Sequence, residues 1–170
     1  MNVLSTVSEI RQQIRNARSE GKIVGLVPTM GALHRGHLSL VDRARQECDV
    51  VVVSIFVNPT QFNDKQDFQN YPRNVETDLR LLEESGCDIA FTPDHREVYP
   101  EHDNTNYQFG KLEELWEGRH RPGHFRGVGM VVRRFFEIVE PHKAFFGLKD
   151  YQQLRIIKSL VAQFDLHVEI

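Results

Sequence analysis

The sequence contains no long apolar run and no leader-like N-terminus. A membrane-spanning helix needs about 18 or more consecutive apolar residues, and no stretch of the 170 residues reaches that length. The first residues also lack the succession of basic, apolar and small residues that marks a secretory signal. These absences predict a cytoplasmic protein that does not enter a membrane.

Cysteine is scarce, and positive charge does not exceed negative charge. Cys48 and Cys87 are the only cysteines and form no CxxC pair, which argues against a zinc site or a disulfide framework and favours two buried, reduced thiols. The formal net charge of -3 leaves no basic surplus to neutralise a phosphate backbone, so general nucleic-acid binding is not expected. With 40% hydrophobic and 26% charged residues, the chain has the composition of one globular domain.

The hydrophobic pattern alternates between helix and strand along the chain. Thr6 and Glu9 have the spacing of a capping box and open an amphipathic helix that Gly21 ends. The clearest strand is Val50–Val57, because a near-continuous β-branched run is typical of a parallel strand covered on both faces. The other predicted elements are strands at Ile23–Val27, Asp88–Thr92, Lys143–Phe146 and Leu166–Ile170, and helices at Gly36–Glu47, from the cap Asn74 to Gly86, at Gly127–Val139 and at Tyr151–Phe164.

Strands that alternate with helices require crossover connections, and right-handed crossovers produce an open, doubly wound parallel sheet. We therefore expect residues 1–170 to form one α/β domain, a Rossmann-like doubly wound parallel sheet of about five strands with helices on both faces. In such a sheet the ligand lies beyond the carboxyl ends of the strands, where the order of winding reverses. The chain ends inside a strand-like segment, which suggests a missing continuation.

The segment PTMGALHRGH, Pro28–His37, joins a buried strand to the start of a helix. Gly31 and Gly36 permit a close approach of the backbone, and the helix N-terminus attracts anions. His34 and His37 add two side-chain donors, so the segment predicts a phosphate-binding loop. The alternatives are that the histidines only cap the helix or form a metal pair, although no HExxH motif or cysteine supplies further metal ligands.

Two further loops follow strands. In VNPTQF, Asn58 and Gln61 are uncharged hydrogen-bonding side chains that suit the orientation of a small polar substrate, although Asn-Pro is equally typical of an ordinary turn. In FFGLKDYQQL, Gly147 allows a nucleotide to approach, Lys149 supplies a charge for phosphate, and Asp150 either accepts from ribose hydroxyls or caps the next helix. One of the two glutamines that follow is expected to face the pocket and the other solvent.

The segment 93–126 is rich in Pro, Gly, His and Asn and shows little periodicity, which predicts a functional loop region. Within it, EGRHRPGHFRG brings together Arg119, Arg121, His124 and Arg126 around Pro122 and Gly123. These side chains suit a cover over an anionic ligand, and a solvated basic loop is the alternative.

Five segments together resemble the pantothenate synthetase (pantoate–β-alanine ligase) family: PTMGALHRGH, VSIFVNPTQF, NYPR, EGRHRPGHFRGV and FFGLKDYQQL. Their order and spacing are similar over essentially the whole chain. HxGH loops alone occur across a superfamily of nucleotidylyltransferases and aminoacyl-tRNA synthetases, so the series of five is the specific signal. The resemblance implies the N-terminal domain of an AMP-forming ligase that joins pantoate to β-alanine through a pantoyl adenylate.

By this resemblance, Gln61 and Gln153 would hold pantoate, and Gln61 would also lie near β-alanine. Asp78 would be the candidate ligand for Mg²⁺, with a solvated helix face as the alternative. Tyr71 and Arg73 would form a wall of the reacting centre. The catalytic residues would be His37 as the proton donor, with His34, Asn58 and Lys149. The residues in contact with ATP would be Met30, Gly31, Ala32, Leu33, His34, Arg35, Gly36, His37, Gly147, Leu148, Lys149 and Asp150.

The chain also departs from the family pattern. Relatives have a smaller C-terminal domain with a Ser-Ser-Arg segment over the ATP phosphates, and residues 1–170 lack it, so we expect partial substrate binding with impaired catalysis. Gly129 and Met130 stand where a Thr-containing sequence is expected, which indicates helix packing. The resemblance further implies a homodimer. A noncatalytic nucleotide-binding domain and another HxGH nucleotidylyltransferase are the alternative functions.

Overall fold

The computed structural model describes all residues from 1 to 170. Short 3₁₀ turns lie at Pro59–Gln61, Gly110–Glu113 and Leu148–Asp150. The strands are β1 (Asn2–Leu4), β2 (Val24–Thr29), β3 (Val50–Ile55), β4 (Ile89–Phe91) and β5 (Lys143–Ala144). The helices are α1 (Val7–Ser19), α2 (Arg35–Glu47), α3 (Lys65–Asn70), α4 (Val75–Glu84), α5 (His95–Val98), α6 (Trp116–His120), α7 (His124–Val139) and α8 (Tyr151–Gln163).

The strands form one five-stranded parallel sheet in the order β1-β4-β3-β2-β5. β3 lies in the middle, and its β-branched run is buried from Val51 to Ile55, as expected for a strand covered on both faces. The chain winds from β2 outward to β3 and β4 and later places β5 on the other side of β2. The winding therefore reverses at β2, which directs attention to the carboxyl ends of β2, β3 and β5.

Two hydrophobic clusters cover the two faces of the sheet. Successive residues of β3 divide between them, because Val52 belongs to the larger cluster and Val51 and Val53 to the smaller one. The larger cluster packs α1, α7 and α8 against the sheet, and the smaller cluster packs α2 and α4. The predicted doubly wound α/β architecture is thereby confirmed. None of the helices combines the length and the hydropathy needed to cross a bilayer.

Several predicted boundaries are wrong. Residues 2–4 form the edge strand β1, which is too short to show a recognisable alternation. Residues 166–170 do not form a further strand, because only a bridge between Lys143 and Glu169 joins them to the sheet. α7 begins at His124 rather than Gly127, directly after Gly123, whose φ of +80° lies outside the helical region. Part of the segment predicted as loop is therefore the first turn of α7.

Candidate active site

The loop between β2 and α2 takes its shape from a buried carboxylate. Gly31 and Ala32 have positive φ angles of +79° and +51°. Asp78 on α4 accepts hydrogen bonds from the backbone N–H groups of Ala32 (3.0 Å) and Leu33 (2.8 Å). A Cβ atom on Gly31 would lie 2.8 Å from a carboxylate oxygen of Asp78, so glycine is required here for space as well as for its φ angle.

His34 and His37 lie at the start of α2 and stack on each other. Nδ1 of His34, the N-cap residue, accepts a hydrogen bond from the N–H of Gly36 (3.0 Å). Nδ1 of His37 accepts from the N–H of His34 (3.4 Å), and the ring centroids are 4.1 Å apart. Because each Nδ1 accepts, the neutral form of each ring carries its proton on Nε2. His34 therefore caps the helix and still offers an Nε2–H donor to a ligand.

The protonation of His37 is set mainly by its burial. Burial lowers the pKa of His37 below its usual value, and the charge of nearby His34 lowers it further, while the carboxylates of Asp78 and Asp150 act in the opposite direction. The ring is thus held neutral near neutral pH. An anion bound at the N-terminus of α2 would favour the charged form and raise the basicity of the ring.

Asn58 and Gln61 are buried on the 3₁₀ turn that follows β3. Nδ2 of Asn58 donates to Oε1 of Gln61 (3.2 Å) and to the carbonyl of Gly127 on α7 (3.0 Å). Oδ1 of Asn58 accepts from the hydroxyl of Tyr99 (3.1 Å). Asn58 is therefore satisfied within the protein, whereas Nε2 of Gln61 donates one hydrogen to the sulfur of Met30 (3.1 Å) and keeps the other for a ligand.

The start of α8 contributes a carboxylate and an amide. Asp150 occupies the N-cap position without a capping hydrogen bond from its side chain, so the capping alternative is wrong. Asp150 and Gln153 line the same cleft as Gln61. Gln152 faces the protein interior rather than solvent, because its Nε2 donates to the carbonyls of Leu112 and Leu115, each at 2.7 Å.

These elements surround one open cleft of about 160 Å³ at the carboxyl end of the sheet. Its apolar wall includes Val128, Val131 and Val132, which share one face of α7 because they are three and four residues apart. A cleft with one apolar wall and a few convergent polar groups is typical of a small-molecule site. The polar side chains of the lining are Thr29, His37, Asn58, Gln61, Tyr71, Asp150 and Gln153.

Other predicted site residues lie beside this cleft or away from it. His34 and Lys149 are exposed and do not line it. Arg73 lines a neighbouring cavity, and its guanidinium donates to the backbone carbonyls of Phe68 and Tyr71. Tyr71 lines the cleft, whereas Arg73 holds the chain around Tyr71, and the role of both residues as a wall of the reacting centre stays a prediction.

The basic segment before and within α7 places His124 in the interior and its arginines at the surface, and the role of the arginines as a cover over an anionic ligand stays a prediction. His124 is only 6% exposed, and its Nδ1 lies 2.8 Å from the carbonyl oxygen of Gln61. Arg121 forms an ion pair with Glu117, and Arg126 is exposed. His124 thus supports the turn behind the cleft.

No group of three or more His, Cys, Asp and Glu side chains is arranged to hold a metal ion. Asp78 is 2% exposed with both oxygens bonded to backbone N–H groups, so the solvated-face alternative is wrong. Its role as a ligand of Mg²⁺ stays a prediction. Since Mg²⁺ commonly keeps waters and binds through one or two carboxylates and substrate phosphates, the residues present fit an ion that arrives with a nucleotide.

A family model described as pantoate-beta-alanine ligase matches residues 2–170. The chain belongs to the pantoate–β-alanine ligase family. It is 52% identical over 170 residues to pantothenate synthetase from Porphyromonas gingivalis and 49% identical to that from Bacteroides fragilis, covering 100% of this chain and 60% of each relative. The chain therefore spans about 60% of the length of these relatives.

Solved structures of the family have the same fold. Pantothenate synthetase from Thermus thermophilus matches with a TM-score of 0.92 and 49% identity, over 99% of this chain and 60% of that one. Pantoate-β-alanine ligase from Francisella tularensis matches with a TM-score of 0.94 and 40% identity, over 100% of this chain and 65% of that one. The Francisella structure is described as a complex with beta-gamma ATP and β-alanine.

Proposed function

We propose that the chain forms the part of a pantoate–β-alanine ligase that binds ATP and pantoate and makes the pantoyl adenylate. The observation that carries the proposal is the cleft between the N-termini of α2 and α8, which His37, Gln61 and Gln153 line together. Family membership supports the overall reaction, and the ATP and β-alanine described for the Francisella relative support two of the substrates.

The reaction must activate a carboxylate, because direct attack by an amine would have to expel oxide. A carboxylate oxygen of pantoate attacks the α-phosphorus of ATP, the bond from that phosphorus to the bridging oxygen breaks, and pyrophosphate leaves. The amine of β-alanine then attacks the acyl carbon and loses a proton, and AMP leaves with the bonding electrons. The products are pantothenate, AMP and pyrophosphate. Holding the reactants in line replaces any need for a protein nucleophile.

The N-terminus of α2 suits the charge that grows on the phosphate oxygens. The Nε2–H groups of His34 and His37 donate hydrogen bonds without being charged, and the backbone N–H groups of the helix add to them. In the proposal the negative charge of the bound phosphates favours the protonated ring of His37, and this imidazolium gives its Nε2 proton to the departing pyrophosphate and returns to the neutral form. Lys149 is exposed at the start of α8, where its long side chain is suited to reach the same phosphates as a point charge.

The rest of the cleft suits pantoate, a small carboxylate with hydroxyl groups and two methyl groups. The amides of Gln61 and Gln153 match the oxygens, and the valines of α7 match the methyl groups. Asn58 contributes to pantoate binding indirectly, because its hydrogen bond to Oε1 of Gln61 orients the amide of Gln61. Neutral amides suit one carboxylate better than a phosphate dianion, which disfavours a nucleotidylyltransferase with a phosphate-bearing substrate.

Mg²⁺ and a second copy of the chain complete the proposal. Mg²⁺ would enter with ATP and neutralise part of the phosphate charge.

Leu115 and Trp116 are 47% and 65% exposed, and adjacent exposed apolar side chains of this size are typical of a contact surface. In the proposed homodimer this surface is covered by the second copy. Sedimentation that finds only monomer at high concentration would remove the homodimer from the proposal.

Pantoate-dependent exchange of labelled pyrophosphate into ATP tests the adenylation step. We expect exchange only when pantoate is present. His37→Ala should lower the rate by a factor of about 10² to 10³, the usual loss when a donor to a developing oxyanion is removed. His120 is exposed on α6, so His120→Ala serves as the control and should keep the wild-type rate.

Other outcomes point to the alternative functions. Calorimetric ATP binding without any exchange would support a noncatalytic nucleotide-binding module. Exchange with a phosphate-bearing substrate but not with pantoate would support another HxGH nucleotidylyltransferase. An unchanged rate in His37→Ala would contradict the role given to His37.

A further inference from the structure

The first turn of α7 supports the 3₁₀ turn after β3 at several points. Nδ1 of His124 lies 2.8 Å from the carbonyl oxygen of Gln61. The carbonyl of Gly127 accepts from Nδ2 of Asn58 at 3.0 Å. A Cβ atom on Gly127 would lie 2.3 Å from the carbonyl oxygen of Thr60 and 2.6 Å from the backbone nitrogen of Gln61. The backbone of the turn therefore rests directly on α7.

His124 provides the hydrogen-bond donor for a buried carbonyl. No backbone N–H donates to the carbonyl oxygen of Gln61. Because a carbonyl only accepts, Nδ1 of His124 must carry the proton. Burial, with a smaller effect from Arg121, lowers the pKa of His124, so the ring is neutral and its Nε2 carries no hydrogen. Removal of the ring donor would leave the Gln61 carbonyl buried without a partner.

The same residue, Gln61, presents its side chain to the cleft. Its Oε1 accepts from Asn58 (3.2 Å) and its Nε2 donates to the sulfur of Met30 (3.1 Å), which fixes the amide so that one Nε2 hydrogen stays available to a ligand. A backbone shift at Gln61 would move this donor relative to a ligand in the cleft. Displacements of about 1 Å at a positioning group are enough to lower reaction rates about a hundredfold.

We propose that His124 is a positioning residue for pantoate, because its Nδ1–H holds the backbone of Gln61 and thereby sets where the Nε2 donor of Gln61 meets a substrate oxygen. The identity of the ligand rests on the proposed function. The loop that ends in His34 is held separately, by Asp78. The effect of His124 is therefore confined to pantoate and does not extend to ATP.

Three substitutions of His124 distinguish the effect of its hydrogen bond from the effect of its ring volume. His124→Phe keeps a ring and removes the donor, His124→Asn places an amide N–H near the position of Nδ1, and His124→Gln places it near Nε2. We expect His124→Phe and His124→Gln to raise the Kd for pantoate about tenfold and His124→Asn to stay within about threefold of wild type. The Kd for ATP should not change. His120→Asn, on the exposed histidine of α6, is the control.

Hydrogen exchange at Phe62 provides a readout that needs no ligand. The N–H of Phe62 donates to the carbonyl of Pro59 (3.3 Å) and therefore reports the order of the turn. His124→Phe should speed this exchange, and His124→Asn should restore it. Unchanged exchange together with an unchanged pantoate Kd in His124→Phe would overturn the inference, as would equal losses of pantoate and ATP binding. If wild type binds no pantoate, the proposed function fails, and exchange at Phe62 still decides whether His124 holds the turn.

Discussion

At the scale of single residues, Asp78 has the clearest effect on the site. Its carboxylate accepts two backbone N–H bonds from a loop in which Ala32 has a left-handed φ of +51°. A non-glycine residue in that region is strained, so the surrounding contacts must hold it there. Hydrogen bonds to an ionised carboxylate are stronger than those to a neutral acceptor. Asp78 therefore keeps the loop in the shape that presents His34 and His37.

Asp78→Asn replaces one acceptor oxygen with an amide donor that faces a backbone N–H. We expect the free energy of unfolding to fall by about 1–3 kcal/mol, the usual effect of an unsatisfied buried group, and ATP binding to weaken. Urea denaturation and calorimetry measure the two effects. Asp42→Asn, on the exposed surface of α2, is the matched control.

The metal dependence of ATP binding separates the two roles of Asp78. If Asp78 acts through the loop, Asp78→Asn weakens ATP binding with and without Mg²⁺. A loss seen only with Mg²⁺ would instead support direct ligation of the ion. Wild-type stability and wild-type ATP affinity in the variant would contradict the loop role.

At the scale of elements, α7 both forms the apolar wall of the cleft and supports the turn that carries Gln61. Val128, Val131 and Val132 face the cleft, and Gly127 lies under the turn. Because the three valines and Gly127 lie on the same helix, that helix fixes the distance between the apolar wall and the turn that rests on Gly127. Rigid secondary structure is what holds a binding site to sub-ångström accuracy.

Gly127→Ala tests this packing. Alanine has the better helix propensity by about 1 kcal/mol, but its Cβ would lie 2.3 Å from a backbone oxygen, which cannot move aside as a side-chain end can. We expect a net loss of about 1–3 kcal/mol in the free energy of unfolding, as is typical of overpacking. Gly147→Ala is the control for stability, since nothing lies within 4 Å of its Cβ and its φ is -72°. Equal stabilities of the two variants would show that α7 and the turn are not in tight contact.

At the scale of the whole molecule, one buried and two half-buried histidines link stability to pH. Burial is the main cause that lowers the pKa values of His37, His124 and His142. In the unfolded chain a histidine titrates near about 6.5. Between the lowered native pKa and that value, the unfolded state binds more protons than the native state. Stability is therefore highest above about pH 6.5 and falls as the pH decreases through it.

Urea denaturation between about pH 7.5 and about pH 5.5 measures this dependence. We expect the free energy of unfolding to be lower at the acidic end. His124→Asn removes one of the titrating groups and should reduce the difference in the free energy of unfolding between the two pH values. A free energy of unfolding that does not decrease toward about pH 5.5 would contradict the sign of these pKa shifts.

Local signals predicted most elements of this molecule. The capping box of Thr6 and Glu9 and the cap at Asn74 are present, because a helix N-terminus is fixed by residues within one turn of it. The apolar run of β3 also predicted a strand, because a strand buried on both faces is recognisable from consecutive residues alone. The short strand β1 and the interior position of Gln152 escaped prediction, since both depend on partners far along the chain.

The sequence by itself determined the alternation of strands and helices and the two helix N-termini with their glycine loops, because each follows from residue types at short spacing. It also determined the family, through five segments in series along the chain. Only the tertiary structure decided that Asp78 shapes the loop of His34, at a separation of 45 and 46 residues from its two partners. The contact between His124 and Gln61 spans 63 residues. Such pairs depend on which strands are neighbours and how helices lie across them, and short sequence patterns do not determine that arrangement.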